Sequence, residues 1–159
     1  MRDDPKVIEL LNIALKNELT AINQYFLHSR MLKDWGVSKL AAKEYEESID
    51  EMNHADWIIE RILFLNGLPN LQDLDKIFIG ENVEEIIECD MKLEKIAIPH
   101  LRDGVEYCEK VRDYVTRDLF AKILTSEEDH LDFLETQQDQ IRLIGIQNYI
   151  QNQSEPNAE

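Results

Sequence analysis

Basic residues are scarce in this chain. Its 17 lysines and arginines stand against 33 aspartates and glutamates, a net charge of −16 over 159 residues. A surface of that sign repels nucleic acid and anionic membranes and attracts cations. Cysteine is scarcer still: Cys89 and Cys108 form no Cys-x-x-Cys pair. Both fall on one predicted helix, and at about 1.5 Å rise per residue they lie beyond disulfide reach. They read as small apolar residues suited to a reducing compartment. Long apolar runs are missing too. Ile62-Leu63-Phe64-Leu65 is typical of the longest, far short of the roughly 20 residues that span a bilayer. The start, Met1-Arg2-Asp3-Asp4-Pro5-Lys6, is polar and shows no secretory leader, so the cytoplasm is the expected location. No glycine-rich phosphate cradle and no basic patch appears. Nucleotide, nucleic-acid and membrane functions are therefore not expected.

What the chain has is helical periodicity. A hydrophobic content of 43% is ordinary for a globular protein, and the length suits one domain over 1–159 with a substantial core. From Lys6 to Trp35, Val7, Leu11, Ala14, Leu15, Glu18, Ala21, Ile22, Tyr25, Phe26 and Leu32 form one stripe at three- and four-residue steps. Gly36 ends that helix, and Ser38 is the expected cap of a second, from about Lys39 to Leu65. Asn66-Gly67-Leu68-Pro69 stops it. Leu68 to Glu81 has no sustained helical period and is long for a helix–helix connection. A link of that length lets the third helix start parallel to the second.

Asn82 followed by Glu85 predicts a capped third helix. Its inner face carries Val83, Ile87, Glu94, Ala97, Ile98, Leu101, Val105 and Cys108, and Pro99 should kink it or remove a backbone hydrogen bond. A turn near Arg112-Asp113, with Asp113 as cap, leads to a fourth stripe of Phe120, Ile123, Glu127, His130, Leu131, Leu134 and Ile141. The chain is thus expected to be all-α: a four-helix bundle over about 5–144, a short fifth helix over about 146–152 after Gly145, and a disordered tail over 153–159.

The chemistry lies in two copies of one pattern. Glu51 and His54 are three residues apart, as are Glu127 and His130, and such positions share a helix face. A lone glutamate precedes each pair by the same 33 positions, Glu18 before Glu51 and Glu94 before Glu127. One glutamate from each of two helices and Glu-x-x-His from each of two others is the ligand pattern of di-metal four-helix bundles. All six fall on predicted inner faces, with no lysine or arginine at that level. Buried carboxylates without partners cost several kcal/mol each, at order of magnitude. Two divalent cations balance four glutamates. Oxygen and imidazole donors without thiolate suit iron or manganese, with zinc as a substitute. His28 and His100 lack such neighbours and read as surface or packing residues. Tyr25, two turns after Glu18, bonds a ligand glutamate, acts in electron transfer or packs in the core.

Across nearly its whole length the chain resembles the bacterioferritins. The stretches that carry the likeness are Asn17-Glu18-Leu19-Thr20-Ala21-Ile22-Asn23-Gln24-Tyr25-Phe26, Ser48-Ile49-Asp50-Glu51-Met52-Asn53-His54-Ala55 and Ile62-Leu63-Phe64-Leu65-Asn66-Gly67-Leu68-Pro69. The resemblance implies a ferritin-like fold and ferroxidase ligands at Glu18, Glu51, His54, Glu94, Glu127 and His130. Glu51 and Glu127 would bridge a di-iron centre, with Glu18 and His54 at one end and Glu94 and His130 at the other. It implies a hollow shell of 24 identical subunits that oxidises iron(II) with dioxygen or hydrogen peroxide and stores ferric mineral. It further implies haem b between two subunits, with Met52 of each as axial ligand, and a bacterioferritin-associated ferredoxin as electron donor for iron release. Some bacterial shells mix haem-binding and haem-free subunits, so a second ferritin subunit is an open partner. Met52 follows Glu51 by one residue and so points about 100° away from the metal face, toward an outer flank.

Two other readings stand beside this one. One is a di-metal peroxidase or catalase of the rubrerythrin or manganese-catalase type, although the missing Cys-x-x-Cys removes the usual rubredoxin module. The other is a DNA-coating mini-ferritin, whose ligands sit between subunits and which often carries a basic tail.

Overall fold

A computed structural model describes residues 4–154. Five helices follow one another: α1 (Pro5–Asp34), α2 (Ser38–Phe64), α3 (Val83–Lys110), α4 (Tyr114–Ile144) and α5 (Ile146–Gln153). The described residues contain no strand, and none of their helices is long and apolar enough to cross a membrane. Gln153, expected to open a disordered tail over 153–159, is helical instead. Gln153 closes α5 and is buried, and 155–159 lie outside the described residues.

Each helix end has a local cause. At the start of α1 the Asp4 side chain accepts from the backbone N–H of Lys6 and Val7, and Pro5 occupies a position that needs no N–H. Gly36, at φ +83°, turns the chain out of α1. Ser38 is not the cap of α2: Val37 holds that position without a side-chain hydrogen bond, and Ser38 is already helical. The stop after α2 also differs from expectation. Asn66, not Gly67, takes the left-handed conformation, at φ +64°. Gly67 is needed for space, since a Cβ there would come within 2.9 Å of Ile8 and Ile62 side-chain carbons. Asn82 caps α3, accepting from Glu85 N–H at 2.9 Å, while Glu85 accepts from Glu81 N–H and the Asn82 amide. The helix runs on through Pro99. Arg112 adopts φ +67° between α3 and α4, doing without glycine. Asp113 caps α4 as expected, accepting from Thr116 N–H at 3.1 Å.

The long link between α2 and α3 is fastened along α1. Asn70 N–H donates to Asn12, Asp75 N–H to Thr20, Phe78 N–H to Gln24 and Gly80 N–H to His28. The acceptors rise in number along α1 as the donors rise along the link. The link therefore travels the length of the bundle beside α1 and delivers α3 parallel to α2. Side chains on one helix face supply the backbone partners that an irregular segment otherwise lacks.

The apolar core is split. One cluster contains Leu11, Leu15, Ile58, Ile62, Leu101, Phe120 and Ile123. Another contains Leu32, Leu40, Ile86, Ile87, Leu134 and Tyr149, the last from α5. Polar and charged side chains occupy the bundle interior besides these clusters. Phe26 departs from its predicted inner position: it is 48% exposed and lies 6.2 Å, centroid to centroid, from Tyr45.

Candidate metal centre

Glu18 from α1, Glu51 and His54 from α2, Glu94 from α3, and Glu127 and His130 from α4 all point into the bundle interior. Each is at most 3% exposed. His54 Nδ1 lies 3.0 Å from Glu127 Oε1, 3.5 Å from Glu18 and 3.7 Å from Glu51. His130 Nδ1 lies 3.1 Å from Glu94 Oε1. Donor atoms of Glu18, Glu51, His54 and Glu127 lie within 4.8 Å of one another, as do those of Glu94, Glu127 and His130. Glu127 thus belongs to both groups and joins them, whereas Glu51 belongs to one. All six come from a single chain, unlike the ligand set of a mini-ferritin.

The cluster is short of positive charge. Among the described residues the ion-pair partners of the four glutamates are histidines. Glu18 Oε2, Glu51 Oε1, Glu94 Oε2, Glu127 Oε2 and His130 Nε2 are buried without a hydrogen-bond partner. Unsatisfied groups of this kind are rare in folded interiors. Burial pushes the Glu18, Glu94 and Glu127 carboxyls above the usual carboxylate range, and the adjacent Glu127 pushes Glu94 further. Burial lowers the His54 imidazole, but the hydrogen bond with Glu127 and the nearby Glu18 carboxylate outweigh it and raise it to about 10. Without cations, protons fill the place of positive charge. Oxygen and nitrogen donors in two groups with one shared carboxylate suit a pair of divalent ions.

A cavity of about 290 Å³ is walled by Glu18, Glu51, Glu94 and Glu127 on the inside and by Asn17, Asp75 and Lys76 toward the surface. It gives solutes a way in between α1, α3 and the link. Tyr25 does both of the structural things its spacing allows: its hydroxyl donates a hydrogen bond to Glu94, and its buried ring packs in the core with Ala21 and Leu93.

Sequence reasoning passed over several buried partners. Glu47 lies 3.8 Å from His130 Nδ1 and 3.0 Å from Lys43 Nζ. Of the surface and packing alternatives for His28, the buried one holds: it is fully buried and bonds to Asp90. His100 is half-buried and bonded to Asn17. A signal for them existed. Glu47 and Asp90 each precede a proposed ligand by four residues, one helical turn on the same face. Met52 lies on the outside of α2, 52% exposed, in line with Tyr45 and Ile49, which are 43% and 39% exposed.

The Ferritin-like domain family profile matches residues 8–144. A bacterioferritin of Brucella melitensis is 51% identical over 156 residues, covering 98% of this chain and 97% of the relative. One from Rhodobacter capsulatus is 54% identical over 137 residues, 86% and 85% of the two chains. One from Mycobacterium avium is 44% identical over 149 residues, 94% of each. Together with the helical bundle and its buried Glu/His cluster, these likenesses establish that the chain belongs to the bacterioferritin family.

Proposed function

We propose that this chain is the subunit of an iron-storing shell and oxidises iron(II) at its six-residue cluster. Membership of the bacterioferritin family supports the ferritin-type storage role. The observation that carries the oxidation reading is the cluster itself: four glutamates and two histidines, all buried, with unpartnered oxygens and no basic side chain to neutralise them. Iron(II) is the substrate. Two iron(II) ions yield one electron each, and dioxygen with two protons becomes hydrogen peroxide. Peroxide, taking two electrons and two protons, becomes two waters.

The protein's part is to bind and position. Glu18 and His54 hold one end, Glu94 and His130 the other, with Glu127 and Glu51 between. Tyr25 fixes the rotamer of Glu94 through its hydroxyl, as supporting shells commonly do for metal-bound carboxylates. His54 must release its proton for an ion to bind, so loading expels protons into the cavity beside Asn17 and Asp75. The acidic surface raises the local concentration of cations around the shell.

Haem b suits the outer flank of α2. Met52 offers a thioether there, beside exposed Tyr45 and Ile49 and with exposed Phe26 near Tyr45. One Met52 from each of two copies would hold it, and bound haem supplies a one-electron carrier. A ferredoxin is the proposed electron donor, 24 copies the proposed assembly, one domain its unit and the cytoplasm its location.

The test compares the wild type with Glu51→Ala/His54→Ala in initial rates of iron(II) oxidation, alongside native particle size and iron content. The expected outcome is a large iron-filled particle whose initial rate falls at least tenfold in the variant. Equal rates would remove the catalytic assignment. A dimer or tetramer with catalase turnover and no iron uptake would favour a di-metal catalase.

A further inference from the structure

A second group of ionisable side chains lies in the core next to the six-residue cluster. His28, Glu44 and Asp90 are 0%, 1% and 0% exposed. Asp90 Oδ1 accepts hydrogen bonds from Gln24 Nε2 at 2.9 Å and His28 Nδ1 at 2.8 Å. His28 Nε2 in turn accepts the Gly80 N–H at 3.0 Å. That contact puts the ring proton on Nδ1 and makes the imidazole a neutral donor. It therefore cancels neither carboxylate. With both carboxyls ionised, Asp90 Oδ2 and both oxygens of Glu44 are buried with no hydrogen-bond donor; the two groups face each other closely enough that either a shared proton or a cation must sit between them. Glu44 comes within 3.7 Å of His28 Nδ1, whose proton is already committed to Asp90.

We propose that Glu44 and Asp90 hold a third cation, separate from the pair at the six-residue cluster. Donor atoms from His28, Glu44 and Asp90 gather within 4.8 Å of one another, but the His28 tautomer leaves only oxygens free to ligate. An all-oxygen site selects a hard divalent ion such as manganese(II), magnesium(II) or iron(II). Two carboxylates with a neutral imidazole balance one such ion. His28 and Gln24 orient Asp90 as outer partners orient metal-bound carboxylates elsewhere. Asp90 is one helical turn from Glu94 on α3, and Glu44 two turns from Glu51 on α2. Glu47, 5% exposed and 3.8 Å from His130, stands between them. A file of carboxylates thus leads from the paired site to the third. This site goes beyond the oxidation reading and does not need it.

Chelator-stripped protein would be titrated with manganese(II), free ion being followed by electron paramagnetic resonance. Wild type, Glu44→Gln, Asp90→Asn and Glu127→Ala would be compared, with folding checked by circular dichroism. Glu44→Gln and Asp90→Asn should each bind one manganese fewer per subunit than wild type, while Glu127→Ala loses ions at the paired site and keeps this one. Crystals grown with manganese should show anomalous density between Glu44 and Asp90, a readout that stands even if a variant fails to fold. Unchanged manganese counts in Glu44→Gln, or no such density in the wild type, overturn the proposal. So does an infrared band of a protonated carboxyl that persists at saturating manganese and vanishes in Glu44→Gln, since a proton would then be the occupant.

Discussion

The hydroxyl of Tyr25 donates to the carboxylate of Glu94, joining α1 to α3 at the wall of the candidate metal centre. Burial and the surrounding carboxylates, Glu94 first, push this phenol well above its ordinary range, so it remains a donor wherever the protein is folded. Glu94 also faces His130, and one hydrogen bond therefore orients two proposed ligands. Tyr25→Phe removes it while keeping the ring that packs edge-on against His130 at 5.1 Å. The expected outcome is a folded shell with metal affinity at the Glu94–His130 end weakened roughly tenfold or more. Metal titration by calorimetry checks it, and an unchanged affinity would show that Glu94 is held by packing alone.

The metal-free protein should lose stability as pH rises. The Glu18, Glu94 and Glu127 carboxyls, raised by burial, keep protons in the folded state that the unfolded chain gives up above about pH 4.5. His54, raised to about 10 by Glu127 and Glu18 against the effect of burial, keeps its proton where the unfolded ring loses it near 6.5. In both cases the folded state binds more protons than the unfolded one, so stability falls with rising pH. For His54 the contribution is complete below about 6.5 and gone above about 10. Between about pH 5.5 and 9 the melting temperature of stripped protein should drop by roughly 5–10 °C, at about 2–4 °C per kcal/mol. Bound cations replace those protons, so the loaded protein should show little of this slope. Calorimetric scans of both forms decide it; a stripped protein that gains stability with pH would contradict the burial of these groups.

The bundle was legible in the sequence because its apolar residues recur at helical steps and its proposed ligands repeat at a constant offset. The long link was legible only as a break in that period. Its route depends on Asn12, Thr20, Gln24 and His28 bonding backbone N–H groups more than 50 residues away, which no local pattern records. Helix ends were read through residue type, and that misled at Gly67 and Ser38. Gly36 and Gly145 take positive φ, but two further left-handed positions fall on Asn66, a residue that tolerates them, and on Arg112, where the direction of the next helix overrides local preference. Phe26 was assigned to the core because an apolar residue counts the same on either edge of a stripe. Glu44 and Asp90 were passed over since a lone acidic residue on a helix is ordinarily solvated. Only the packing of α1, α2 and α3 reveals that these two are not.

Gly104 on α3 leaves room for the Phe120 ring of α4. A Cβ built there would lie 2.8 Å from carbons of the Phe120 ring, a buried side chain in the core. Alanine improves helix propensity by at most about 1 kcal/mol, whereas overpacking of this kind costs about 1–3 kcal/mol. Overpacking should win, so Gly104→Ala should lower the melting temperature of the metal-free protein by a few degrees. Adding Phe120→Leu should recover part of the loss by making room for the methyl group. Thermal melts of the two single variants and the double variant measure the coupling. Additive effects would mean that the helices can separate without cost at this point.

Met52 separates the outer face of α2 from the inner. Glu51 is 2% exposed and Met52 is 52% exposed, so adjacent residues serve different compartments. A thioether ligates haem iron, whereas a leucine of similar volume has no donor atom. Met52→Leu should therefore abolish the haem absorbance while leaving initial iron(II) oxidation within about twofold of wild type, because nothing on the inner face changes. Release of stored iron under reducing conditions should slow. Haem bound in wild-type stoichiometry by the variant would place the axial ligand elsewhere. Loss of oxidation together with haem would mean that the two faces of α2 are coupled through the helix. The exposed Tyr45 and Ile49 allow a control: Ile49→Ala trims the apolar surface around the proposed haem without touching sulfur. It should weaken haem retention but keep the absorbance of a two-thioether complex, which tells loss of the ligand from loss of the cradle.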